Sequence, residues 1–216
     1  MPAGFPLIAD RTFEDYSSLK SIKLPAGVTS IGKYAFKNCT SLESIELPDG
    51  LTSIGQGAFM HCTSLKSIEL PDNVTSIGQG AFFACSGLMS IDLPASLTSI
   101  DKCTFFLCSS LESIKLPNGL TSIGNYAFHK CKSLDIEKLP DSLTSIGMYA
   151  FGGCWSLKDI HLPAGLEEIG KSAFHDCKLG IKSKEKIKEK FPSAFDAPPV
   201  CDMSGSESPD CESCVS

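Results

Sequence analysis

The chain has 216 residues, a formal net charge of −6 and 42% hydrophobic residues, which suits one soluble repeat domain. The mild acidity argues against nucleic acid as a partner, and no apolar run is long enough to cross a bilayer. Eleven cysteines would suggest a disulfide scaffold if they were scattered. They are not: seven recur at a fixed interval of 23 residues, Cys39, Cys62, Cys85, Cys108, Cys131, Cys154 and Cys177, in step with seven Leu-Pro pairs from Leu24-Pro25 to Leu162-Pro163. Such a period marks stacked supersecondary units, none of which can bury its apolar face alone.

In chain order, residues 1–16 carry half a unit. Ile8 falls in the Ile54 column, Phe13 in the phenylalanine column and Tyr16 in the cysteine column, as expected of an N-terminal cap. The same stretch has neither a basic region nor an apolar segment of signal-peptide length, so it does not read as a secretory leader.

Residues 17–180 hold seven units. In the segment 41–48, Ile45 and Leu47 lie two apart, the strand period, so Ser44 and Glu46 face the other way. Pro48 has no N–H for a ladder and ends the strand. Leu51 and Ile54 mark a return segment on the opposite side of the coil, and Gly55 reads as a turn residue with positive φ. The following Ala-Phe-x-x-Cys stretch is too short for a full helix and reads as a tight helical turn. Stacking places Phe13, Phe36, Phe59, Phe82, Phe105, Phe128, Phe151 and Phe174 in one spine. At a strand spacing of about 4.7–4.9 Å, seven coils span roughly 35 Å. The cysteine column points inward, where thiols act as small hydrophobes, and side chains pointing the same way do not all pair.

The unit L-x-x-I-x-L-P-x-x-[LV]-T-S-I-G-x-x-A-F-x-x-C resembles the BspA-like branch of leucine-rich repeats over roughly positions 17 to 180. The resemblance implies a β-rich repeat solenoid with a parallel concave sheet, short return segments and helical turns. It also implies a surface or secreted protein that binds matrix proteins, and it brings no catalytic residues.

Two units depart from the pattern. Asp101 replaces the turn glycine, with Cys103 and Thr104 nearby, and reads as neutral drift at a turn that Asp tolerates; a reactive thiol at Cys103 is the sharper alternative. In the segment 133–140, Glu137 takes the inward isoleucine slot and Ile136 the outward one. Burying an unpaired carboxylate is costly, so a bulge is expected to return Ile136 to the core.

After Cys177 the pattern stops. Residues 181–195 read as a lysine-rich amphipathic capping helix with Ile187 and Phe191 on one face; basic stretches of this kind also touch membranes or bind calmodulin. Residues 196–216 read as a disordered tail rich in Pro, Ser, acids and Cys. Its Cys211 and Cys214, with Cys201, are a weak metal or redox motif without a histidine set.

No phosphate loop, nucleophile elbow or paired zinc ligands occur, so neither enzyme activity nor a cofactor or metal is expected. The outward strand positions offer a partner surface. One column runs Ser21, Ser44, Ser67, Ser90, Ser113, Ile136 and Asp159; the next runs Lys23, Glu46, Glu69, Asp92, Lys115, Lys138 and His161. The candidate partner-binding residues are Glu46, Glu69, Asp92, Lys115, Lys138 and His161, facing an extended or basic patch of another protein. Exposed charges of this kind also occur simply as a solvated face. Adhesion at the cell surface follows from the resemblance; an intracellular scaffold follows from the reduced thiol column and the missing leader.

Overall fold

The computed structural model describes residues 6–197. Each 23-residue coil has three sides, and each side stacks on its equivalent in the next coil. The front side is a short strand, as in Ser44–Glu46, with its central isoleucine buried and its neighbours exposed. Pro48 closes that side: its carbonyl accepts a hydrogen bond from the Leu51 N–H at 3.0 Å, a turn repeated after every Leu-Pro pair. The return side is a two-residue strand, as in Ser53–Ile54. All pairings are parallel and in register across one period, Ile22 opposite Ile45 and Ile31 opposite Ile54.

The third side is the Ala-Phe-x-x-Cys corner. It forms successive i→i+3 turns, Met60 N–H to Gly57 O and Cys62 N–H to Phe59 O. Alternate N–H groups point along the rod instead, with Phe36 donating to Ala58 O and Asn38 to Met60 O, both at 2.8 Å. Two left-handed residues per coil make this alternation possible, one in the column of Tyr34, Gly57, Gly80 and Tyr126, one in that of Asn38, His61, Ala84 and Lys130. This corrects the expected role of Gly55. Its φ is not in the left-handed region, and its constraint is space: a Cβ there would sit 2.7 Å from the Gly32 carbonyl carbon of the preceding coil. Gly78, Gly124 and Gly147 are crowded the same way.

Burial follows the columns. Phe36 through Phe174 are fully buried, stacked nearly parallel with ring centroids 5.3–5.5 Å apart. A buried Phe contributes about 1.5–3 kcal/mol relative to exposure. The seven column cysteines are free thiols, and each Sγ donates to the carbonyl of the phenylalanine one coil back, at 3.0–3.2 Å. Burial pushes every one of these thiols up, Cys39 to about 11 and Cys177 to about 12. A second, smaller cluster lies outside the corner turns, where Phe83 stacks on Phe106 at 4.8 Å and Tyr126 on Tyr149 at 5.1 Å. Cys103 lies in it, fully buried, so it is not an accessible nucleophile.

The ends differ. At the N-terminal side, Ile8 pairs with Ile31 and Phe13 stacks on Phe36 at 5.0 Å, so the half unit extends two of the three ladders. At the other end, helix α1 (Ile181–Lys190) buries Ile187, and the 3₁₀ turn Pro192–Phe195 supplies Ser193 O and Ala194 O to the N–H groups of Ser172 and Phe174. That turn imitates the corner of a further coil.

Both departures have structural consequences. Ile136 is buried and Glu137 exposed, so the displaced isoleucine does return to the core. The front ladder is reduced there to one bridge, Lys138 opposite His161. At Asp101 the substitution has a structural mark: the return ladder is interrupted at that coil, Ser76–Ile77 and Ser99–Ile100 belonging to separate four-stranded sheets. Thr104, in the alanine slot, is buried and its Oγ1 donates to Asp101 O at 2.8 Å.

Candidate functional site

Because the strand period sends Ser44 and Glu46 outward when Ile45 is buried, the front face presents one charged column along the rod. Parallel neighbours lie about 4.8 Å apart, close enough for adjacent side chains to share a partner. Lys115 stands opposite Asp92 in register. Glu69 occupies the equivalent place one coil earlier, beside the pairing of Ile68 with Ile91.

The six predicted residues share this column but not one environment. Glu46 is tied to Lys23 at 2.5 Å, an exposed pair of small energetic worth. Lys138 reaches Asp141 at 3.1 Å. The Nδ1 of His161 lies 3.1 Å from the Glu137 carbonyl, beyond the last regular front strand. Glu69, Asp92 and Lys115 are the three brought together. They line a shallow groove of about 690 Å³ with Asp72 and Asn118, floored by Leu70, Pro94 and Pro117. Three carboxylates face one ammonium in it, and neither Glu69 nor Asp92 makes an ion pair among the described residues. Asp72 and Asn118 were missed because they sit on the turn after the Leu-Pro pair, a loop position without strand periodicity. A second hollow of about 440 Å³, lined by Glu43, Lys66, Met89 and Glu112, occupies the neighbouring column where Gly87 replaces serine.

Other chemistry-bearing groups are sequestered. His129 is ringed by Phe106, Tyr126 and Tyr149 at 5.2–5.8 Å. Its Nδ1 is buried without a hydrogen-bond partner, and desolvation lowers its pKa to about 4, so the imidazole is neutral near pH 7. Among the described residues no cluster of His, Cys, Asp or Glu could hold a metal ion; Cys201, Cys211 and Cys214 lie outside them. No helix among the described residues is long and apolar enough to cross a membrane. The apolar side of α1 packs on the core through Ile187, and Lys190 Nζ donates to Leu166 O at 2.6 Å.

The chain matches the family model described as BspA type leucine rich repeat region, in six copies, over residues 6–135 and 83–197. Among solved structures it is similar to a leucine rich repeat protein of T. pallidum, with 30% identity and a TM-score of 0.62 over 88% of this chain and 80% of that one. A leucine-rich repeat protein from Bacteroides ovatus matches with 31% identity and a TM-score of 0.65, over 85% of this chain and 55% of its own. A leucine rich cell surface protein from Faecalibacterium prausnitzii matches with 27% identity and a TM-score of 0.58, over 83% and 65%. Nothing among the curated proteins matches.

Proposed function

Because this chain belongs to the BspA-type leucine-rich repeat family, we propose that it is a non-enzymatic, protein-binding solenoid acting in adhesion or recognition at the cell surface. The front face is the binding surface, and an extended segment carrying basic side chains is the complement of its central groove. The observation that carries this reading is the excess of carboxylates in one groove, Glu69 and Asp92 in the front column and Asp72 on the adjoining turn. Repeat proteins use extended, regular faces of this kind for binding, and a structural relative is described as a cell surface protein.

The test has two parts. Protease added to intact cells should cleave the repeat domain or remove an antibody epitope on it. The purified chain should then retain at least one of a panel of immobilised matrix proteins, and Glu69→Lys with Asp92→Lys should abolish that retention. Binding unchanged by the double variant would rule out the groove. Survival of the epitope until lysis would instead favour an intracellular scaffold, the reading motivated by the seven free thiols.

A further inference from the structure

The return ladder is broken once among the described residues, between Ser76–Ile77 and Ser99–Ile100, and the break follows a repeating bond that is missing at one place only. The glycine N–H after each return strand donates to the isoleucine carbonyl one coil back: Gly55 to Ile31 O at 2.8 Å, Gly78 to Ile54 O at 2.8 Å, Gly124 to Ile100 O at 2.7 Å, Gly147 to Ile123 O at 2.7 Å. Asp101 makes no such bond to Ile77. A threonine ladder runs alongside, with Thr52 Oγ1 to Thr29 O, Thr75 to Thr52 O, Thr121 to Thr98 O and Thr144 to Thr121 O. It too skips the step from Thr98 to Thr75.

The cause is steric. A Cβ on Gly78 would lie 2.6 Å from the Gln56 nitrogen, on Gly124 2.7 Å from the Lys102 nitrogen, on Gly147 2.5 Å from the Asn125 nitrogen. Asp101 has a Cβ, so its coil cannot close against the backbone of the coil before it. Elsewhere the same boundary is intact. Ser67 and Ile68 still pair with Ser90 and Ile91 on the front, Phe82 stacks on Phe105 at 5.4 Å, and Phe82 N–H donates to Thr104 O at 2.9 Å. Thr75, Ser76, Thr98 and Ser99 are exposed, so water can satisfy the backbone groups the ladder releases.

We infer that this boundary is a flexure: two stiff blocks, joined along the front ladder and the corner turns, open and close on the return side. The Cβ of Asp101 is the wedge. The flexure is independent of the binding role proposed above, although the groove from Glu69 to Lys115 spans the same boundary and would change shape as the blocks move.

Residue-resolved amide exchange by NMR on the full chain tests this. In the wild type, the amides of Thr98 to Asp101 should exchange about tenfold or more faster than their equivalents Thr121 to Gly124, in the manner of locally opening segments. Those of Ser90 to Asp92, on the front of the same boundary, should stay protected. Asp101→Gly should slow exchange at positions 98–101 to the level of 121–124, whereas Asp101→Ala and Asp101→Asn, which keep the Cβ, should leave it fast. Equal protection of the two segments in the wild type overturns the inference, and so does protection restored by the alanine variant. Fast exchange at Ser90 to Asp92 also overturns it, because the whole boundary would then be melting. None of these readouts involves a partner, so failure here is distinct from failure of the binding proposal.

Discussion

The phenylalanine spine and the front charge column run parallel along the same rod, yet they differ in what they permit. In the spine every coil repeats the same residue because each ring meets the ring before and after it at the same spacing. In the front column the residue changes from Lys to Glu to Asp to Lys while the strand beneath it stays in register. Close packing fixes the identity of buried residues and is indifferent to those that face water. The difference teaches where to look for specificity: at the positions the fold leaves unconstrained.

The comparison can be broken at several strengths. The largest effect should come from Phe105→Ala, which opens a cavity mid-spine and should cost about 3–5 kcal/mol in denaturant unfolding. Phe13→Ala at the half-buried end of the stack should cost clearly less, and equal losses would mean the spine is not the stabilising element. Next is acid sensitivity through His129. The unfolded imidazole titrates near 6.5 and the folded one near 4, so its contribution is complete above pH 6.5 and is lost as pH falls toward 4. That window corresponds to about 3 kcal/mol. The urea midpoint of the wild type should fall more between pH 6.5 and 4 than that of His129→Leu.

A smaller effect is expected of Cys108→Ala, which removes a thiol donor to Phe82 O and a little volume; about 1–2 kcal/mol is the expectation. With burial holding these thiols protonated, iodoacetamide at pH 8 should label the seven column cysteines only after denaturation, and without reductant. Rapid labelling of the native protein would show that the column is not sealed. The smallest effect should come from Glu69→Lys with Asp92→Lys, within about 0.5 kcal/mol of wild-type stability by thermal unfolding. A large loss would mean the front column supports the fold and would undo the contrast with the spine.

Much of this architecture is legible in the sequence because each column repeats: the period gives the coil, Ile45 and Leu47 give the strand, and the phenylalanines give the interior. Two features are not legible for physical reasons. The left-handed positions carry Tyr34, Gly57, Cys103 and Ser172 in one column, a mixture with no glycine signature, since the turn is imposed by bonds to the next coil. The need for glycine at positions 32, 55 and 78 comes from the neighbouring coil's backbone, which no single unit reveals, and so Asp101 looked harmless. The candidate residues were found as a column. Glu46 and Lys138 make exposed ion pairs with Lys23 and Asp141, while Glu69, Asp92 and Lys115 share a groove with the turn residues Asp72 and Asn118, which carry no strand periodicity.

The imitation corner at Pro192–Phe195 has a consequence for how such rods change size. Among the described residues it engages the coil immediately before it, through Ser172 and Phe174 and through Phe195 against Phe174 at 6.0 Å. A stopper that reads one neighbour is blind to how many coils lie upstream. Excising or duplicating a whole 23-residue unit should therefore leave the seal in place and yield a shorter or longer rod that still terminates cleanly, with the charge pattern on its front re-spaced as a ruler is when a mark is added or taken away.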